Sequence, residues 1–394
     1  MFLRSLIAAA ALLLACAAAA ASPSPQQPPR DAEDFYNRGL ERYAAGDLAG
    51  ALADFDEAIR RAPKLPDAYN GRANARLARG DVPGALADYT RVIELKPNDF
   101  LAYYNRGVAH LNAGGYDAAL ADFDAAVRLD PPRQHAAITY NNRGYAKQLK
   151  GDQQGALADY DRAIELWPAS VEAYNNRGSL RQARGELEAA IADFDKAVEA
   201  SPGFARAYVN RGVARAARGD HAGAVADYDR ALWLAPDDAE AHYNRGLSRH
   251  ALGDADKALA DFDRAVALDP QSSNYYVQRG VVRLARNDAA GALADFDKAV
   301  GLNPGDALPY VQRGILRQER GQTDAALQDF TQAIAVDAGN ATAYANRGII
   351  RLQKGQEKLA EEDFAAAVRL DPSLKPSLDK YLSEVRKRNA LLRK

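Results

Sequence analysis

The chain has 394 residues, one Cys, and 51 Lys and Arg against 53 Asp and Glu. Alanine makes up about a fifth of it and charged residues 26%, which excludes a long disordered polyelectrolyte, a collagen, a multi-span membrane protein and a disulfide-rich module. The balanced charge gives no reason to expect nucleic acid as a partner. Length alone suggests two or three domains at roughly 150 residues each, and the alanine favours close-packed helices.

The first stretch has the three-part build of a secretory signal peptide over residues 1–21. A short basic start at Arg4 leads into an apolar run, and small residues including Ala19 and Ala21 precede a cleavage point at Ala21–Ser22. A second cut competes. Leu13-Leu14-Ala15-Cys16 resembles a bacterial lipobox, in which Cys16 would become the lipidated first residue. The chain is therefore expected to be exported: periplasmic or secreted in the first case, lipid-anchored to the envelope in the second. Residues 22–31 follow as a proline-rich linker, with Pro23, Pro25, Pro28 and Pro29 favouring an extended, semi-rigid spacer.

From there a period of 34 residues takes over. Arg-Gly pairs recur at Arg38-Gly39, Arg106-Gly107, Arg143-Gly144 and then every 34 residues to Arg347-Gly348, with Arg72-Ala73 in the one remaining place. The single spacing of 37 marks a three-residue insertion near 131–135. Asp-Phe or Asp-Tyr pairs keep the same phase from Asp54-Phe55 to Asp363-Phe364, as do prolines from Pro63 to Pro372, with Ala338 in the ninth place. Ten repeats thus cover residues 32–372. Each reads as two helices. In the sixth, Tyr208 and Gly212 share a face of the first helix, and the missing side chain at Gly212 permits close approach of another helix. Gly219-Asp220 makes the turn. Ala224, Tyr228 and Ala231 line the second helix, and Pro236 stops it. One such pair buries too little alone, so neighbours must stack into a continuous core.

On Tyr208, Gly212, Ala224, Tyr228, Ala231, Pro236 and their equivalents, the pattern resembles the tetratricopeptide repeat family. The resemblance implies an all-α fold: an α-solenoid of ten helix-turn-helix repeats in a right-handed superhelix. Its concave groove would be lined by the first helices. Two features depart from the family. Arg fills the place before the Gly in all ten repeats, where Leu is usual, although in the second it is followed by Ala73. A basic residue stands three after it, where Tyr is usual, as at Arg42, His110, Lys147 and Arg215.

Like charges four apart on a helix repel by a few tenths of a kcal/mol, so the Arg211/Arg215 arrangement needs compensation. Asp227 borders the buried face and Asp229 follows it; second acids of this kind occur in seven repeats. A ladder of Arg–Asp pairs at the edge of the core is expected, the exposed pairs being worth about 0–1 kcal/mol each.

The slot before the Arg holds an amide in nine repeats: Asn37, Asn105, Asn142, Asn176, Asn210, Asn244, Gln278, Gln312 and Asn346, with Gly71 in the second. Asn is a poor helix-interior residue, and a carboxamide can both donate to and accept from a peptide backbone. The row is similar to the asparagine ladders of other superhelical repeat proteins that bind extended chains. It can equally bond neighbouring repeats and set their stacking. Flanking slots are polar and aromatic early on, with Tyr36, Tyr104, Tyr145, Asn175 and later Tyr243 as further candidate groove residues. From the sixth repeat they turn aliphatic at Val209, Val213, Leu247, Val277, Val281, Val311, Ile315 and Ile349, which predicts a shallow apolar groove.

No phosphate loop, metal-spaced His pair or Ser-centred elbow occurs. His242 and His250 lie eight apart and read as isolated groove or surface residues. No cofactor, metal or enzymatic activity is expected. Residues 373–394 read as a capping helix with Leu374, Leu378, Leu382 and Val385 in one stripe, its end crowded by Arg386, Lys387, Arg388, Arg393 and Lys394. The sequence therefore points to a non-catalytic, monomeric scaffold that holds a protein or peptide partner in its groove. The rival is an envelope component docking through its outer surface, membrane-bound only if lipidated at Cys16.

Overall fold

The computed structural model describes residues 31–392, with side chains as far as 385. The signal segment, Cys16 and the prolines of the linker lie outside the described residues, as do the side chains of Arg386, Lys387, Arg388, Arg393 and Lys394. The described chain is helical, and its repeats group into two compact units of five, divided between Pro202 and Gly203. In the first unit the helices are α1 (Ala32–Ala44), α2 (Leu48–Arg61), α3 (Pro66–Ala78), α4 (Val82–Leu95), α5 (Phe100–Asn112), α6 (Tyr116–Arg128), α7 (Arg133–Leu149), α8 (Gln153–Leu166), α9 (Val171–Ala183) and α10 (Leu187–Ala200). In the second they are α11 (Ala205–Ala217), α12 (His221–Leu234), α13 (Ala239–Ala251), α14 (Ala255–Leu268), α15 (Ser273–Ala285), α16 (Ala289–Leu302), α17 (Ala307–Glu319), α18 (Thr323–Val336), α19 (Ala341–Gln353), α20 (Glu357–Leu370) and α21 (Lys375–Leu392). Odd-numbered helices up to α19 open a repeat, and even-numbered ones close it.

Local chemistry sets these boundaries. Each turn inside a repeat passes through one left-handed residue, a glycine in nine cases, such as Gly219 at φ 89°. The tenth is Asn287 at φ 63°. Second helices often start on an aspartate cap: Asp47, Asp81, Asp152, Asp220 and Asp288 each accept the backbone N–H three residues on. The insertion lengthens α7 to 17 residues against 13 for the other first helices. Asp130, at φ 51°, turns the chain into it. The added turn lays His135 edge-on against Phe100, with 5.3 Å between ring centroids.

In each unit the core is a column of rings. Phe55, Tyr89, Phe123, Tyr160 and Phe194 in the first unit are fully buried, as are Tyr228, Phe262, Phe296 and Phe330 in the second. The glycine after the Arg makes room for the ring rather than for a helix backbone. A Cβ on Gly212 would lie 2.7 Å from the Tyr228 ring. The two ends are treated differently. Within each unit, Ala75, Ala146, Leu180, Val282, Leu316 and Ile350 on first helices pack with the ring of the repeat before, whereas α1 carries exposed Glu41 in that place. At the other end Leu378 is buried, with Leu374 and Leu382 packed on the same cluster as Phe364.

Candidate interaction face on the first helices

The Arg–Asp ladder is present and more buried than expected. The ten aspartates from Asp54 to Asp363 are only 2% to 5% exposed, which removes them from the class of surface pairs. Arg72 donates from Nε and one terminal nitrogen to Asp88 at 2.9 and 2.6 Å, and from the other to Asp56 of the preceding repeat at 2.6 Å. The same bridge joins Arg143 to Asp124, Arg177 to Asp161, Arg279 to Asp263 and Arg313 to Asp297. Thr90 of the second repeat stands in place of the acid and accepts from Arg106 of the third at 3.0 Å. The second basic residue binds the same buried Asp, as Arg76 binds Asp88 at 2.7 Å and Lys147 binds Asp159 at 2.8 Å. One buried carboxylate between two cations is what offsets their repulsion. The aromatic three before the Arg adds to this. Arg211 stacks over the Tyr208 ring at 5.4 Å and Arg143 over Tyr140 at 4.8 Å. His242 takes that aromatic place in its repeat. Its Nε2 lies 3.0 Å from the Pro236 carbonyl and its Nδ1 3.6 Å from Asp261, so it belongs to the ladder and is not an isolated groove residue.

The amides divide into two groups. In repeats 2 to 5 they bond one another across repeats. Asn105 donates to Asn70 at 3.3 Å, and Asn176 donates to Asn141 at 3.0 Å. Asn141 passes a bond to Asn142 at 3.3 Å, and Asn142 donates to the Tyr104 hydroxyl at 3.0 Å. Asn141, Asn142 and Asn175 are buried. In the second unit Asn346 donates to the Thr342 carbonyl of its own helix at 2.9 Å, and Asn210 is half-buried. Asn37, which is exposed, and Asn244, Gln278 and Gln312, which are half-buried, have no hydrogen-bond partner among the described residues.

The aromatic candidates sit at the border of the core. Tyr36 tilts against Phe55 with centroids 6.1 Å apart, and Tyr104 meets Phe123 in the same way. Tyr145 packs on the cluster around Phe123. Tyr243 lies between Phe262 at 5.8 Å and Tyr275 at 4.9 Å. Burial pushes the Tyr36 and Tyr243 hydroxyls up from their ordinary values. The aliphatic slots of the predicted apolar groove are in part taken up by packing. Val209, Val277 and Val311 are buried, while Val213, Leu247, Val281, Ile315 and Ile349 are half-buried and pack on core clusters. Those aliphatic side chains fill the joints between repeats.

One polar feature escapes the sequence patterns. Where the second-helix ring is Tyr, its hydroxyl can cross the core to an amide on the first helix. Tyr89 donates to Asn74 at 2.5 Å and Tyr160 to Gln148 at 2.9 Å. The signal was the coincidence of Tyr with Asn or Gln inside one repeat. Among the described residues no group of three or more His, Cys, Asp or Glu could hold a metal ion, and no helix is long and apolar enough to cross a membrane.

Comparison with known proteins gives one consistent answer. Tetratricopeptide repeat profiles match residues 36–100, 70–134, 141–205, 178–239 and 311–374, and another matches 211–287. No curated protein matches the chain significantly. A tetratricopeptide repeat protein from Parabacteroides merdae is similar at 20% identity and TM-score 0.50, over 68% of this chain and 98% of that one. Yeast Tom70 is similar at 16% identity and TM-score 0.44, over 91% and 96%. YrrB, described as a TPR protein with an unusual peptide-binding site, is similar at 27% identity and TM-score 0.37, over 48% and 95%. With profiles matching most of its length, and with ten helix pairs in succession, the chain belongs to the tetratricopeptide repeat family.

Proposed function

We infer that the protein is a non-catalytic interaction scaffold, exported by its first 21 residues, that holds a protein or peptide partner on its first helices. The observation that carries this reading is the set of unspent amides. Asn37, Asn244, Gln278 and Gln312 occupy a slot that disfavours Asn in a helix, yet bond nothing among the described residues. A ligand backbone would satisfy both their donors and their acceptors. The fold itself does not choose the partner. The test replaces all four by Ala in the full chain and probes an array of extended peptides. Binding should fall while the helical signal and melting temperature hold. Unchanged binding would remove the amides from the interface.

A second reading is supported by Trp233. This ring is 69% exposed on α12 and stacks under Arg230 at 4.2 Å. A large exposed aromatic on a second helix suits docking through the outer surface, with Cys16 as a lipid anchor. Membrane partitioning lost in Cys16→Ala, together with complex formation lost in Trp233→Ala, would favour it.

A further inference from the structure

Repeats 3 to 5 concentrate several departures from the regular pattern. They contain the added turn of α7, the paired amides Asn141-Asn142 and Asn175-Asn176, and the hydroxyl of Tyr104. The bonds among these groups all run one way. Asn176 donates to Asn141, Asn141 to Asn142, and Asn142 to Tyr104. A chain of this kind polarises each member in turn, and a hydroxyl that accepts becomes a better donor. Tyr104 ends the chain, and its own O–H has no acceptor among the described residues. Burial pushes that hydroxyl up to about 12, opposed by the Asn142 bond and helped by the Glu172 carboxylate. The proton is therefore kept and available.

The surrounding charge narrows what can accept it. Take the amide slot with the positions four before, one before and three after it, which lie on one side of the first helix. Across the five repeats of the first unit these positions hold no Lys, Arg or His, but three exposed acids: Glu33, Asp67 and Glu172. Asp67 pairs with Lys96 at 3.6 Å. Glu172 makes no ion pair among the described residues. It lies one helical turn before Asn176 on the same helix, and Asn176 heads the chain of bonds that ends at Tyr104. An anionic acceptor at Tyr104 would be opposed by Glu172, whereas a neutral carbonyl beside a cation would satisfy both groups.

We propose that repeats 3 to 5 form a binding site for an extended peptide bearing a lysine or arginine, with a backbone carbonyl accepting from Tyr104 and the cation facing Glu172. This rests on the scaffold reading above and specifies the class of peptide it takes. The test uses the full chain on an array of peptides of roughly ten residues. Their central residue is Lys, Arg, Gln or Glu in neutral surroundings. The wild type should favour Lys and Arg over Gln by roughly fivefold. Glu172→Gln should abolish that preference, and Glu172→Lys should turn it towards Glu. Tyr104→Phe, which keeps the ring against Phe123, should weaken all peptides alike by roughly fivefold and leave their ranking intact. Circular dichroism of each variant confirms that it is folded. A wild-type preference for Glu, or a ranking unmoved by Glu172→Lys, would overturn the proposal. Binding lost only in the Asn37, Asn244, Gln278 and Gln312 variant would overturn this site and keep the scaffold reading. Absence of binding by every form would end both.

Discussion

Arg245 reaches across a repeat boundary to Asp229, 2.7 Å away, while it holds Asp261 of its own repeat at 2.6 Å. The two acids differ in burial: the Asp229 side chain is 50% exposed and that of Asp261 4%. That difference decides their energetic weight. Asp261→Ala would leave Arg245 and Arg249 facing each other in a desolvated joint, at a cost of roughly 3 kcal/mol or more. Asp229→Ala should cost less than about 1 kcal/mol, since water replaces the lost partner. Urea titrations of both variants check the ranking, and equal shifts would remove burial as the explanation.

The left-handed turn residue makes a second comparison. Nine turns use Gly, and the eighth repeat uses Asn287 at φ 63°. Asn tolerates this region better than most residues, but its Cβ still carries a cost that Gly avoids. Asn287→Gly should therefore stabilise the second unit, by up to about 1 kcal/mol, despite the greater freedom of Gly in the unfolded chain. Gly253→Ala, at φ 82° with open space around it, should destabilise by a similar amount through backbone strain alone. Melting temperatures moving in opposite directions would bear this out.

The fold was legible because its signals are local and repeated. The aromatic, the Gly, the turn Gly and the closing Pro recur in phase, and ten copies leave little room for another architecture. The site was less legible, because a helical wheel shows which residues share a face but not what covers it. Val209 and Val311 look exposed on such a wheel, yet the adjoining repeat buries them. The same limit hid the sixteen-residue reach of Arg72 to Asp88, and it left open whether Asn176 bonds a ligand or Asn141. Grouping into two units left no mark in the period, which runs through Pro202 without interruption.

Three of the ten core rings are Tyr, and single substitutions can show which of their hydroxyls matter. Tyr89 donates to Asn74 at 2.5 Å, whereas Tyr228 has no hydrogen-bond partner among the described residues. Tyr89→Phe removes one buried bond and strands the Asn74 oxygen, a loss of about 1 kcal/mol. Tyr228→Phe should cost less or nothing. The double variant Tyr89→Phe with Asn74→Leu should recover part of the loss, because both polar groups then go together.

His110 is the one histidine in the row of second cations, 3.9 Å from Asp122 where most repeats place Arg. Burial lowers its pKa below the ordinary 6.5, against the pull of Asp122 and with the help of Arg106. The sign follows from linkage. A base whose folded pKa lies below its unfolded value is protonated more readily when unfolded, so it withdraws stability as pH falls through 6.5 towards the folded value. Above that window His110 is neutral and leaves Asp122 with Arg106 alone as a cation. His110→Arg should therefore raise the melting temperature at neutral pH by restoring the second charge. Its advantage over the wild type should widen as pH falls from above 7 to about 5.5, while the other nine ladder positions act equally on both proteins. Thermal melts of the two proteins across that range test this. An advantage that shrank on acidification would mean that protonated His110 is stabilised by Asp122 more than it is penalised by burial.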